Sequence, residues 1–165
     1  MNEIKLRPGE EFVYNGIRFI CLDVIDGNYL AITADCLCEK RFNDNYNDGC
    51  NNWKTSTLRR FLNEDVLEEH FDAKHLIKQT SDLTADNGDK AYGTCEDYVP
   101  LLEEYMWTLT PWRCDTGDAS YVRYVYPTGA IGNTSAYGSV GLAPVCLFNS
   151  NNLTLRRQAQ LIPAE

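Results

Sequence analysis

Residues 12–34 read FVYNGIRFICLDVIDGNYLAITA, and two turn signals cut this run into three. Asn15-Gly16 suits the left-handed dihedrals of a type I′ turn. Asp26-Gly27, between Ile25 and Asn28, marks a second turn. The pieces between the turns, 12–14, 17–24 and 29–34, are rich in β-branched and aromatic residues. A three-stranded antiparallel meander is therefore expected, with Phe19, Cys21, Val24, Leu30 and Ile32 in its core.

Helical periodicity follows the strands. Leu58, Phe61 and Leu62, at i, i+3 and i+4, make one apolar face. Thr55, Ser56 or Thr57 can accept from the free N–H groups of the first turn, and Asn63 is the expected stop. Trp53 is expected to pack under the start of this helix. Two more short helical pieces are expected at 66–71 and 72–79, the second capped by Asp72. Residues 96–105 are expected to form another, around Val99, Leu101 and Leu102. Asn87-Gly88 marks a turn within 81–92. Strands followed by helices set the fold class at α+β.

At 165 residues the chain is long enough for one domain with a real core. Its net charge of −9 excludes a nucleic-acid partner, which needs a basic stripe. No apolar run reaches the ~20 residues that span a bilayer. No apolar leader opens the chain, so synthesis in the cytoplasm is expected. Seven cysteines, an odd number without a leader, point to reduced and mostly buried thiols. Cys36-Leu-Cys38 followed by a lone Cys50 lacks the paired spacing of a zinc site. The acidic stretch 42–52 fails a calcium-loop register, with Tyr46 at position 3 and Thr55 at position 12. It is expected to be a plain surface loop. His70 and His75, five apart, miss the i, i+4 spacing of a helical metal pair and are expected to be solvated. Neither metal nor cofactor is called for.

Charge and composition change towards the C-terminus. Residues 1–110 hold 11 Lys+Arg and 21 Asp+Glu, whereas residues 111–165 hold 4 and 3. Within 106–148 lies an insert of Tyr, Ser, Gly, Thr and Asn, the mixture that binding loops use. Ala119, Val122, Val125 and Ile131 supply an apolar skeleton. Gly117, Gly129, Gly132, Gly138 and Gly141 are assigned to turns. The residues left for an outer, ligand-binding face are Tyr121, Arg123, Tyr124, Tyr126, Asn133, Thr134, Tyr137, Ser139 and Val140. Tyr and Arg are the residue types that dominate interface energetics.

The run Trp53-Lys-Thr-Ser-Thr-Leu-Arg59-Arg-Phe-Leu-Asn63 resembles the W-x-x-S-x-L-R-x-W-L-N signature of an uncharacterised bacterial and phage domain family. Trp107-Thr-Leu-Thr-Pro111 resembles its second block, which in several relatives reads W-L-R-S-P. Here Thr110 precedes Pro111 and the Arg is absent, so local packing is expected to differ. Ala119, Val122, Val125 and Gly129 match a third block, and Gly141-Leu-Ala-Pro144 matches the closing strand. The resemblance spans roughly residues 10–150. It implies a C-type-lectin-like fold, in the version found in formylglycine-generating enzymes and in the variable proteins of diversity-generating retroelements.

The expectation is thus one α+β, C-type-lectin-like domain over 1–150, with an antiparallel sheet, two or three helices and a loop-rich face. The closing strand 142–148 would pair with the N-terminal hairpin, and 151–165 would form a tail. The resemblance implies a phage or prophage ligand-binding protein, diversified over about 112–148. Its partner would be a protein or carbohydrate on a cell surface, with virion association, surface display or homo-oligomers as settings. The alternatives are a non-diversified binding module, a structural virion component, or an oxidase using Cys114 or Cys146. No nucleophile elbow, P-loop or dinucleotide fingerprint supports an enzyme.

Overall fold

The computed structural model describes residues 5–101, 107–111, 114, 121–125, 131–156 and 160–164. Within them the 12–34 run forms β1 (Glu11–Tyr14), β2 (Ile17–Ile25) and β3 (Asn28–Thr33), paired antiparallel as expected. Both turns take left-handed backbone at two successive residues: Asn15 and Gly16 at φ 47° and 82°, Asp26 and Gly27 at φ 51° and 81°. Phe19, Cys21 and Ile32 are buried, and Leu30 is partly so. Val24 is the exception, 37% exposed. A bulge between Cys21 and Asp23 shifts the register, so Val24 lies beyond it, near the strand's open end.

The remaining strands are β4 (Cys38–Arg41), β5 (Leu76–Ile77), β6 (Gln79–Asp82), β7 (Thr94–Asp97), β8 (Trp107–Pro111), β9 (Tyr121–Val125) and β10 (Ile131–Ser135). Then come β11 (Ser139–Leu142), β12 (Val145–Phe148), β13 (Leu153–Arg156) and β14 (Gln160–Pro163). The main sheet runs β13-β14-β1-β2-β3-β12-β5. The segment expected to pair as one strand over 142–148 is broken at Ala143-Pro144, because proline has no N–H for a ladder. Its first part, β11, pairs with β4, and its second, β12, pairs with β3 rather than with the β1–β2 hairpin.

Within the expected tail, residues 153–156 and 160–163 belong to the main sheet. β13 and β14 form a hairpin, and β14 adds to β1 in parallel, Val13 opposite Gln160 and Tyr14 opposite Leu161. Leu153, Leu155 and Leu161 are buried, and their alternation along the strands is what commits this polar-looking segment to the sheet. Under the sheet lies an aromatic core. Phe148 contacts Phe12, Phe19 and Tyr14 at 5.4, 5.1 and 5.1 Å between centroids, and Phe71 stacks on Tyr14.

The helix is longer than the sequence suggests. Thr57–Arg60, Phe61–Val66 and Leu67–His70 join end to end as one helix of 14 residues, α1, with a π-wound middle. Of the three candidate caps, Ser56 is the one whose hydroxyl accepts from Arg59 N. Asn63 does not stop the helix because its side chain is engaged sideways. Its Nδ2 donates to Arg59 O and Val99 O, and its Oδ1 accepts from Val99 N. Residues 72–79 are not helical beyond one 3-10 turn, Ala73–His75, capped by Asp72. Leu76 and Ile77 instead pair with Phe148 and Leu147. Nor is 96–101 helical: Thr94–Asp97 pairs with Gln79–Asp82, closing a long hairpin over the 87–88 turn. Residues 102–105 lie outside the described residues. A separate three-stranded sheet, β10-β9-β8, occupies much of what was expected to be loop.

Asp97 joins these parts. It is buried, and its carboxylate accepts from Trp53 Nε1 at 2.7 Å and from Arg59 Nε at 2.8 Å. Trp53 is fully buried against Phe42, ahead of the helix as expected. Burial opposes the Arg59 charge, but the Asp97 bond outweighs it and holds the guanidinium above its usual value. Asp97→Ala should cost about 2–3 kcal/mol in urea unfolding, because it strands a buried indole N–H and a half-covered guanidinium. A loss below about 1 kcal/mol, within the net value of one ordinary hydrogen bond, would show the lock to be incidental.

His75, expected in solvent, is 5% exposed. Tyr14 Oη accepts from Asp72 N and is hydrogen-bonded to His75 Nδ1 at 2.9 Å, while His75 Nε2 is buried without a hydrogen-bond partner among the described residues. Burial pushes the imidazole below its usual value; Asp72 works against this and Lys74 with it. The native state therefore takes up this proton less readily than the unfolded chain. Stability should be intact above pH ~6.5 and fall as pH drops below it. In His75→Gln the overall stability should drop, but the decline in urea midpoint between neutral and mildly acidic pH should flatten. An unchanged slope would assign it to other groups.

Candidate functional site

β4 and β11 form a two-stranded antiparallel ribbon. Leu142 lies opposite Cys38, Gly141 opposite Glu39, Val140 opposite Lys40 and Ser139 opposite Arg41. Leu142 is fully buried and anchors one end, while the other end, with Arg41 and Ser139, is exposed. The turn before β11 is closed by Gly138 N donating to Ser135 O and by Tyr137 N donating to Ser135 Oγ.

Three side chains meet at the open end of the ribbon. The Arg41 guanidinium lies over the Tyr137 ring, 3.8 Å from its centroid. Tyr46 meets the same ring edge-on, with centroids 5.8 Å apart and planes at 71°. Such T-shaped and cation–π contacts each contribute on the order of 1 kcal/mol at exposed sites. That is enough to bias rotamers, though not to cover the rings. Tyr46 is 69% exposed and Tyr137 40%.

The loop that carries Tyr46 was expected to be a plain surface loop, yet both its ends are buried. Phe42, Asn43, Cys50 and Asn51 are almost fully covered. Asn43 N donates to Ala136 O, Asn43 Nδ2 donates to Cys50 O, and Asp44 N donates to Thr57 Oγ1. At the far end, Tyr92 Oη donates to Asn51 Oδ1 at 2.6 Å. Burial of the Tyr92 phenol pushes its pKa up, which keeps it a donor at any working pH. Only the middle, 44–48, is left in solvent. The loop thus presents Tyr46 from two fixed ends.

The residues expected to form one outer face are divided by the structure. Tyr137, Ser139 and Val140 belong to the ribbon and the turn before it, and Val140 is half-buried. Tyr121, Arg123 and Tyr124 lie on β9, and Asn133 and Thr134 on β10, with Arg123 opposite Asn133, Tyr121 opposite Ser135 and Thr134 opposite Val122. Val122 is fully buried. Backbone position 124 shares its parity, and 121 and 123 have the other. Tyr126 lies outside the described residues, as do Gly117, Ala119 and Gly129. Gly132 and Gly141, assigned to turns, are instead strand residues opposite Tyr124 and Glu39, while Gly138 does sit in a turn. Sequence reasoning missed Arg41 and Tyr46. The available signal was a lone aromatic within an Asn/Asp-rich loop that otherwise has nothing to bury.

Among the described residues, no group of three or more His, Cys, Asp or Glu is placed to hold a metal ion. Of the two thiols considered for oxidase chemistry, Cys146 is fully buried in β12, and burial pushes its thiol far up. Cys114 is partly covered beside Tyr92. The Cys146 thiol, so strongly held in its protonated form, is a poor nucleophile. Alkylation of the native protein should modify exposed Cys36 first and leave Cys21, Cys50, Cys95 and Cys146 unmodified until unfolding. Early labelling of Cys146 would reopen the redox reading. No protein-family model, curated protein or solved structure matches this chain.

Proposed function

We propose that this chain is a ligand-binding protein of phage or prophage type, built for receptor recognition or display on a C-type-lectin-like domain. The observation that supports it most is the exposed stack of Arg41, Tyr137 and Tyr46. Large aromatic rings gain by burial, so two of them held together in solvent suggest a surface kept for a partner. Tyr and Arg are also the side chains that most often dominate binding energy. The clamped ends of the 42–51 segment reduce the ordering cost that binding would otherwise incur. Its partner is a protein or carbohydrate on a cell surface.

The retroelement part of this reading rests on the motif resemblance. It divides the stack in an informative way. Tyr137, Ser139 and Val140 fall inside the 112–148 segment, whereas Arg41 and Tyr46 fall outside it. Rewriting of the segment would vary one half of the face and keep the other constant. The coding DNA tests this: a near-copy of the 112–148 region differing at template adenines, beside a reverse-transcriptase gene, is the expected result. Absence of both leaves a non-diversified binding module.

Tyr46→Ala combined with Tyr137→Ala tests the face itself. The melting temperature should fall by no more than about 4–8 degrees, since the two exposed ring contacts contribute on the order of 1 kcal/mol each. Binding to peptide and glycan arrays, read side by side with wild type, should be lost. Retained binding, or a large fall in melting temperature, would remove these rings from the site.

A further inference from the structure

Arg41 differs from the other arginines with described contacts in what surrounds it. Arg18 is paired with Asp35 and Glu11, and Arg59 with Asp97. Arg41 has no carboxylate within ion-pair distance among the described residues, and its guanidinium lies over the face of Tyr137. A guanidinium held over a ring face spends none of its five N–H donors on a carboxylate, so they stay available to a ligand. Ser139, exposed and directly opposite Arg41 in the ribbon register, adds a hydroxyl from the neighbouring strand. Tyr46 meets the same Tyr137 ring edge-on and adds a second, exposed aromatic surface. A guanidinium without a carboxylate partner, a hydroxyl from the facing strand position and two exposed rings together suit a planar anion with a short carbon stem.

We propose that the Arg41–Ser139 pair reads a single carboxylate, supplied by an Asp or Glu side chain on the surface of a protein partner. This rests on the ligand-binding reading above and specifies its chemistry. Charge decides between carboxylate and phosphate. The chain carries −9 overall, and exposed Asp44 and Asp48 belong to the loop that bears Tyr46. Repulsion from that field grows with ligand charge, so a dianionic phosphate is disfavoured relative to a monoanionic carboxylate. A phosphate also needs donors for three oxygens, typically several cations or a run of backbone N–H groups. Here one guanidinium and one hydroxyl match two oxygens. The stem of a Glu or Asp side chain is short and apolar enough to lie along the Tyr46 and Tyr137 rings.

The test is a 1H–15N NMR titration of the full chain at constant ionic strength, following Arg41 Nε and the Tyr137 and Ser139 amides. The probes are N-acetyl-glutamate N-methylamide, its glutamine counterpart, glucuronate and inorganic phosphate. The glutamate compound should give saturable shifts at these three positions and the glutamine compound none. Arg41→Gln should abolish the response, and Ser139→Ala should weaken it severalfold. Arg60→Gln, which removes an exposed cation from the helix, should preserve it. Equal shifts with glutamate and glutamine, no shifts at all, or a response surviving Arg41→Gln would overturn the proposal. So would tighter binding of glucuronate or phosphate, which would assign the site to an acidic sugar or a phosphoryl ligand. Failure here, with array binding still lost in the Tyr46/Tyr137 double variant, would leave the ligand-binding reading standing on its aromatic face alone.

Discussion

The carboxylate of Asp97 is the point at which a helix, a loop and a strand are tied together. It is buried at the end of β7 and takes one bond from the indole of Trp53 and another from the guanidinium of Arg59. Removing a carboxylate from water is costly unless every acceptor site is used, and here two donors of the same signature run supply that compensation. Two residues further on, Asn63 clasps the backbone of Val99 through both its N–H and its C=O. The W-x-x-S-x-L-R-x-x-L-N run is thereby accounted for as architecture. Trp53, Arg59 and Asn63 hold the 97–99 segment, Ser56 caps the helix, and Leu58 and Leu62 fill the core. None of these residues is spare for ligand chemistry.

That lock has a consequence for the surface. Asp44 N bonds to Thr57 Oγ1 at the helix start, and Leu58 N bonds to Phe42 O, so the 42–51 loop is held to the same helix end that Asp97 secures. The ribbon is held from the other side, by Leu142 in the core and by Lys40 lying over Phe61 of α1. The Arg41–Tyr137–Tyr46 stack therefore stands on supports that reach the core in two places. A site placed on rigid supports loses less entropy when it is occupied.

Part of the candidate face was legible in the sequence. Tyr137 and Ser139 were identified from the Tyr/Ser/Gly/Asn composition of the insert, and the structure leaves both exposed. Arg41 and Tyr46 were not, because their partner lies about ninety residues away. Only the antiparallel β4–β11 pairing and the Asn43–Ala136 contact bring them to it. The same distance effect explains His75. Its neighbours in sequence are charged, which suggests solvent, yet the group that buries it is Tyr14 on β1. The polar 151–165 segment likewise looks detached until β1 presents an edge for β14 to join.

What the sequence determined by itself is everything set by nearest neighbours. The Asn-Gly and Asp-Gly turns need left-handed backbone, the meander between them follows, and a hydroxyl cap among Thr55, Ser56 and Thr57 ahead of Leu58, Phe61 and Leu62 starts the helix. The ends and partners of these elements were decided by tertiary structure. Asn63 could have ended the helix, but Val99 takes its side chain and the helix widens into a π turn and continues. Leu76 and Ile77 could have been helical, but they pair with Phe148 and Leu147 along the edge of β12. The physical reason is common to these cases. Local propensities differ by less than about 1 kcal/mol per residue, and a buried hydrogen bond or apolar contact supplied from far along the chain is worth at least as much.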